Sequence, residues 1–248
     1  MISKGLLKYI RSLQIKKYRV LHQAFTVEGE KSVAELLQAD VELETLLATD
    51  KFLQKHTHLV KKGFQVQTVT ENDLSKAGSM ESNNAALAIA KMRPVPDFNW
   101  QDNPFVLALD EVRDPGNLGT IIRIADWYGL SSIVLSKSSA DFYNQKVIAA
   151  TMGSFLRITP HYVDLGPFLG KRPQNVPVYG AALEGDNIHK LSLQPQGVLV
   201  MGSESHGIGP EVMQLVTQPL HIPGRGKAES LNVGTATAIL LDNFFRNA

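Results

Sequence analysis

The chain has 248 residues, 44% of them apolar, and a formal net charge of +1. These values fit a folded protein with a real core and exclude a polyelectrolyte, so any nucleic-acid surface must be a local patch. Cysteine is absent, which removes disulfides, thiolate metal sites and cysteine nucleophiles together and fits a reducing compartment.

The N-terminal stretch MISKGLLKYIRSLQIKKYRVLHQ places Lys4, Lys8, Arg11, Lys16, Lys17 and Arg19 ahead of the first acid, Glu28. Apolar residues recur between them at helical spacing, which predicts a basic first helix and not a signal peptide. No stretch approaches the roughly 20 apolar residues of a membrane span; a cytoplasmic protein without a membrane segment is expected. From there to residue 92, AFTVEG, KSVAELLQA, LETLLAT, DKFLQKH, FQVQTVT, ENDLSKA and AALAIAKM alternate strand and helix patterns. That alternation predicts a small α/β domain over 1–93. His56-Thr57-His58 has no third ligand at metal spacing and reads as a surface helix end, so no metal is expected. RPVPDFNWQDNP carries three prolines and marks 94–104 as a linker.

From Phe105 the strands become more apolar: FVLALD, SSIVLS, VPVYGAAL, GVLVMG and PLHIP. Near-continuous apolar runs indicate strands buried on both faces, and the helical patterns NLGTIIRIADWYG and NQKVIAAT fit between them. Residues 105–248 are therefore predicted to form an open, mostly parallel α/β sheet.

Ligands of such sheets collect beyond the carboxyl ends of the strands, and three of these ends carry polar groups. After FVLALD, Asp114-Pro115-Gly116-Asn117 reads as a turn in which Asn117 caps a helix starting at Leu118. Arg123 follows on an otherwise apolar helical stretch, where an arginine snorkels, pairs or serves a site. After GVLVM, Glu204 sits in a loop made flexible by Gly202, Gly207 and Gly209. After PLHIP, Ser230 and Asn232 flank Leu231 at the mouth of a long apolar helix, where both are good capping residues. Each feature alone has a structural explanation. Five polar groups converging at strand ends point to a ligand pocket.

Standard fingerprints are missing. GIGPEV lacks the last glycine of G-x-G-x-x-G, and GRGKAES has neither the spacing nor the hydroxyl of a P-loop. S-E-S-H-G approaches a serine nucleophile elbow, but Ser203 replaces its first glycine, and downstream of Ser205 an acid followed by a histidine is available only as Glu211 and His221.

Taken in order, DEVRDPGNLGTIIRIADWYG, LVMGSESHGIGPEV and IPGRGKAESLNVGTATAILL resemble the three motifs of the SpoU (TrmH) family of RNA ribose 2′-O-methyltransferases. KYRVLHQAFTVEGEKSVAELL resembles the small RNA-binding domain, related to a ribosomal-protein fold, that many members carry in front. The resemblance implies a deep trefoil knot in the C-terminal domain, a homodimer, and S-adenosylmethionine bound in the knotted loops. It implies cofactor contacts at Ala181 and Ala182 after VPVYG, at Met201 and Gly202, and at Ile222 and Leu231. It places Asn117, Arg123, Glu204, Ser230 and Asn232 at catalytic positions, with Arg123 holding the ribose or its phosphate and Glu204 orienting Arg123 and Asn117.

Two departures stand out. Gly224-Arg225-Gly226 replaces a common methionine after the proline, and Gly234-Thr235 replaces a common Ser-Val. The implied substrate is structured RNA, contacted by Lys4, Lys8, Arg11, Lys16, Lys17 and Arg19, with rRNA favoured over tRNA by the separate N-terminal domain. The competing expectations are a tRNA 2′-O-methyltransferase and a non-catalytic RNA-binding module on the same fold.

Overall fold

The computed structural model describes residues 1–247. The described chain divides into two compact units: Met1–Pro94 with Asp141–Leu156, and Val95–Ala140 with the chain from Arg157 onward.

In the first unit, helices α1 (Lys4–Ser12) and α2 (Lys16–His22) replace the single basic helix expected from the sequence. Ending α1 strands its last carbonyls without partners. Arg19, folded back from α2, donates from Nη1 to Leu13 O at 2.8 Å. Its Nε lies 3.1 Å from Asp141 Oδ2, and Nη2 completes a charge-assisted pair with the same oxygen. Arg19 is therefore only 2% exposed, and its expected role as an RNA contact is corrected: the guanidinium is consumed by the fold. Strands β1 (Ala24–Glu28), β2 (Leu43–Ala48), β3 (Val66–Thr68) and β4 (Ala86–Lys91) form a sheet in the order β1-β4-β2-β3, antiparallel except for the β2–β3 pair. Helices α3 (Glu30–Gln38), α4 (Asp50–Lys55) and α5 (Glu71–Ala77) join them. One core cluster of this unit gathers Ile10, Leu13, Leu47, Leu74, Leu87 and Ile89.

The segment Asp141–Leu156 belongs to this unit although it lies far along the sequence. Gln145 donates to Thr26 Oγ1 at 2.8 Å, and Arg93 donates to Phe155 O and Leu156 O at 2.9 and 2.6 Å.

The second unit carries β5 (Phe105–Leu109), β6 (Ser132–Ser136), β7 (Thr159–Val163), β8 (Val178–Asn187), β9 (Gly197–Met201) and β10 (Gln218–His221). They form one sheet in the order β10-β8-β9-β5-β6-β7, parallel throughout. The helices of this unit are α6 (Pro115–Trp127), α8 (Leu165–Gly170), α9 (Pro210–Met213) and α10 (Val233–Phe245); α7 (Gln145–Thr151) lies in the segment assigned to the first. Every residue of β5 and β9 is buried, as central strands covered on both faces require.

The order of this sheet reverses between β5 and β9, because the chain leaves β5 toward β6 and β7 and later returns on the other side. Such a switch point opens a crevice at the carboxyl ends of the two strands. Here Leu109 stands opposite Met201, and Asp110 N donates to Met201 O at 2.8 Å. Strand β8 pairs with β9 only from Val178 to Gly180. Its register with β10 then jumps from Gly180–Pro219 to Asp186–Leu220, so Ala181–Gly185 swing out of the ladder.

Candidate active site

At the end of β5 the chain turns sharply. Glu111 adopts a left-handed backbone with φ 56°, an uncommon state for a side-chain-bearing residue and one that clusters near functional sites. It is held by Ser136 Oγ, which accepts from Glu111 N at 2.8 Å. Asp114 then caps α6, its Oδ1 accepting from Asn117 N at 2.8 Å, with Pro115 in the first turn. The sequence expectation that Asn117 is the cap is corrected: α6 begins three residues earlier than Leu118, because Asp114-Pro115 is the stronger start signal. As a result the Asn117 side chain is free to leave the helix.

After β9, Ser203–Gly207 form a closed turn. Ser203 N donates to Gly207 O at 2.9 Å, Gly207 N returns to Ser203 O at 3.0 Å, and Ser203 Oγ accepts from His206 N at 3.1 Å. A Cβ on Gly202 would overlap the backbone of Gly207, and Gly207 itself has φ +67°; both glycines are demanded by the turn. This loop is stapled, where the sequence suggested flexibility. Its exit is fixed as well, since the buried Asp110 carboxylate accepts from Gly209 N at 2.8 Å. Glu204 is thus presented on a rigid tip beside the carboxyl end of β5.

Asn232 caps α10: its Oδ1 accepts from Gly234 N at 2.9 Å and Thr235 N at 3.4 Å. Because the oxygen must face those donors, Nδ2 points the other way, and it donates to Asn117 Oδ1 at 2.8 Å. Asn117 Nδ2 in turn donates to Glu204 Oε1 at 2.6 Å. A carboxylate, two amides and the first turn of α10 form one directional chain. Close packing makes this reach possible, since a Cβ on Gly234 would come within 3.1 Å of Thr120 Cγ2 on α6.

The remaining expected site residues divide. Ser230 is exposed, and its side chain forms no bond within the described chain; it is not a cap. Arg123 is exposed and unpaired among the described residues, and the expectation that Glu204 orients it does not hold within one chain. Six residues after Asn117 it sits about 9 Å further along α6 and about 120° round the helix, away from the Asn117 face. Ala181 and Ala182 lie inside β8 and not after it. Both are half-buried and follow directly on the last β8–β9 pair, Gly180–Val200. Met201 is buried, Ile222 half-buried and Leu231 exposed. From Pro223 to Leu231 the backbone makes no hydrogen bond to the described chain. These apolar groups with free backbone donors and acceptors fit the demands of an adenine ring.

Asp110, Glu111 and Ser136 are not among the site residues expected from the sequence, yet they fix both site loops. The only signal for Asp110 was an acid closing a fully apolar run. Ser205 Oγ and His206 Nδ1 lie 2.7 Å apart, yet no acid among the described residues bonds the imidazole, so the nucleophile-elbow reading gains no triad. Among the described residues no group of histidine, aspartate and glutamate is arranged to hold a metal, and no helix is long and apolar enough to cross a membrane.

Residues 104–242 match the SpoU rRNA Methylase family model, and residues 5–88 match the MRM3-like substrate binding domain. The 23S rRNA (guanosine(2553)-2′-O)-methyltransferase RlmP of Bacillus subtilis is 32% identical over 93% of this chain and 92% of its own. A TrmH-family protein from Porphyromonas gingivalis superposes with TM-score 0.89 at 36% identity over the full length of both chains. The AdoMet-bound rRNA methyltransferase from Sinorhizobium meliloti does so at 0.87 and 31% identity, over 100% of this chain and 96% of that one. The chain belongs to the SpoU rRNA methylase family.

Proposed function

We propose that this protein transfers a methyl group from S-adenosylmethionine to a ribose 2′-hydroxyl of rRNA. The observation that carries this reading is the Glu204–Asn117–Asn232 chain at the switch point of a parallel sheet, in a fold shared with AdoMet-bound relatives.

Bound S-adenosylmethionine supplies an electrophilic methyl on a sulfonium. Ala181, Ala182, Met201, Gly202, Ile222 and Leu231 would hold it, small residues admitting the backbone and apolar ones lining an adenine slot. Asn117 and Asn232 fix the sugar, and Ser230 closes the pocket with them. Two polarised amides locked by Glu204 and by a helix cap are preorganised, so little reorientation opposes the reaction. For the transfer, the 2′-hydroxyl would give up its proton to solvent as its oxygen takes the methyl, the S–CH3 bond breaking to leave neutral S-adenosylhomocysteine. A guanidinium beside the hydroxyl or its phosphate favours the alkoxide, and this is the role of Arg123.

Arg123 faces away from Asn117 in its own chain, which supports a homodimer. Gly116, Thr120, Arg123 and Trp127 form an exposed stripe on α6, and Trp127 is 84% exposed. An exposed tryptophan beside an arginine is the kind of pair that anchors an interface. Pairing two copies through this stripe buries Trp127 and lets Arg123 serve the partner's site. The family likeness also supports a deep trefoil knot in the C-terminal loops, and work in the cytoplasm, where unmodified rRNA is at hand.

The match to a substrate-binding domain and the rRNA activities of the named relatives favour rRNA over tRNA. In this reading Lys4, Lys8, Lys16 and Lys17 supply phosphate contacts; Arg11 joins them while donating to Lys76 O at 2.8 Å. Side-by-side methylation of unmodified 23S rRNA and bulk tRNA, followed by mapping of the 2′-O-methyl, tests this choice. Label in rRNA alone supports it, and label confined to tRNA overturns it.

A further inference from the structure

The loop Gly224-Arg225-Gly226-Lys227 is unexplained by the fold. Every residue from Gly224 to Ser230 is exposed, and neither Arg225 nor Lys227 has a partner among the described residues. Neither Gly224 nor Gly226 has a positive φ, and a Cβ on either would meet nothing within 4 Å. Elsewhere in the site the glycines are forced by contact or backbone, as Gly202 and Gly207 are. Here two glycines that nothing among the described residues requires alternate with two cations that none of those residues neutralises. Glu229 is the only acid between His221 and Asn232, so the loop is net positive, and it leads directly into Ser230 and Asn232.

We propose that Arg225 and Lys227 grip the RNA backbone phosphates flanking the target ribose, the two glycines letting the loop lie against the sugar-phosphate chain. The inference rests on the reading of Ser230 and Asn232 as site residues. It assigns the Arg225 and Lys227 side chains to substrate, while the backbone of the loop stays with the cofactor. A flexible cationic loop gains from phosphate through charge and counterion release, whereas adenine needs neither cation. The cofactor carboxylate is the competing anion, and the test separates the two.

The test is R225Q/K227Q, compared with wild type and with R225K/K227R. RNA affinity is measured by anisotropy with labelled 23S rRNA fragments in the presence of S-adenosylhomocysteine, across a salt series, and cofactor affinity by calorimetry. In the glutamine variant RNA binding weakens about tenfold at moderate salt. The slope of log K against log salt shrinks by about 1.4 to 1.8, the loss of two phosphate contacts. Cofactor affinity and melting temperature stay unchanged, and R225K/K227R restores the slope. An unaltered RNA slope overturns the proposal, as does weaker cofactor binding with RNA binding intact. Failure of the methyl-transfer reading shows separately, as absence of wild-type turnover, because the binding assays need none.

Discussion

Asn117 and Glu204 stand 87 positions apart in the sequence and 2.6 Å apart in the structure, amide nitrogen to carboxylate oxygen. The Asn117 oxygen is meanwhile held by Asn232, so neither end of the amide is free to rotate. If this locked amide positions the ribose, Glu204→Gln and Asn117→Ala lower kcat by about 10²-fold, the scale of a reacting group displaced by an ångström. Calorimetry then shows cofactor affinity within a factor of a few of wild type. A double variant no worse than either single one marks the two residues as a unit.

Gly202→Ala tests the stapled turn. The added methyl overlaps the backbone of Gly207, so the Ser203–Gly207 bonds open and Glu204 loses its fixed position. Activity drops further than stability does. The comparison is turnover against thermal melting, and a variant that melts lower with full kcat contradicts the turn's positioning role.

Arg19 and Asp141 form a pair in which the arginine is almost wholly buried. Asp141→Ala leaves a buried cation facing no anion and costs about 3–5 kcal/mol by chemical denaturation. Replacing both partners together, as Arg19→Met with Asp141→Leu, recovers much of that loss. A cost below about 1 kcal/mol for the single variant means the pair is solvated.

His161 is buried against Phe98, their ring centroids 5.2 Å apart, and burial lowers its pKa. A histidine with a depressed folded pKa is kept neutral by the fold. Its stabilising effect is complete above the unfolded value, about 6.5, and is lost as pH falls from there through the lower folded value. Stability measured from pH 7.5 to 5 therefore declines, and His161→Phe flattens that decline. An equal slope in the variant assigns the loss to other groups.

Much of the second unit is readable from apolar runs, because strands buried on both faces leave long stretches of Val, Leu, Ile and Ala. The strand β7 escapes that reading: Pro160 and His161 interrupt the pattern, and Pro is tolerated there because β7 is the edge of the sheet. The break between α1 and α2 is hidden because the residue that satisfies it, Arg19, looks like its exposed neighbours. Residue identity flags Asn117, Glu204 and Asn232 as candidates. Their contact is a product of topology, since β5, β9 and β10 end on the same side of a parallel sheet. Arg123 shows the reverse case: a motif locates it, but its direction on α6 is settled only by helix phase.

The most direct test incubates the purified protein with methyl-labelled S-adenosylmethionine and unmodified 23S rRNA, then digests the RNA to nucleosides and maps the label by mass spectrometry. Label is expected on a ribose 2′-oxygen, appearing about 10²-fold more slowly with the Asn117→Ala protein. Label on a base, or RNA bound with no cofactor binding and no transfer, contradicts that expectation.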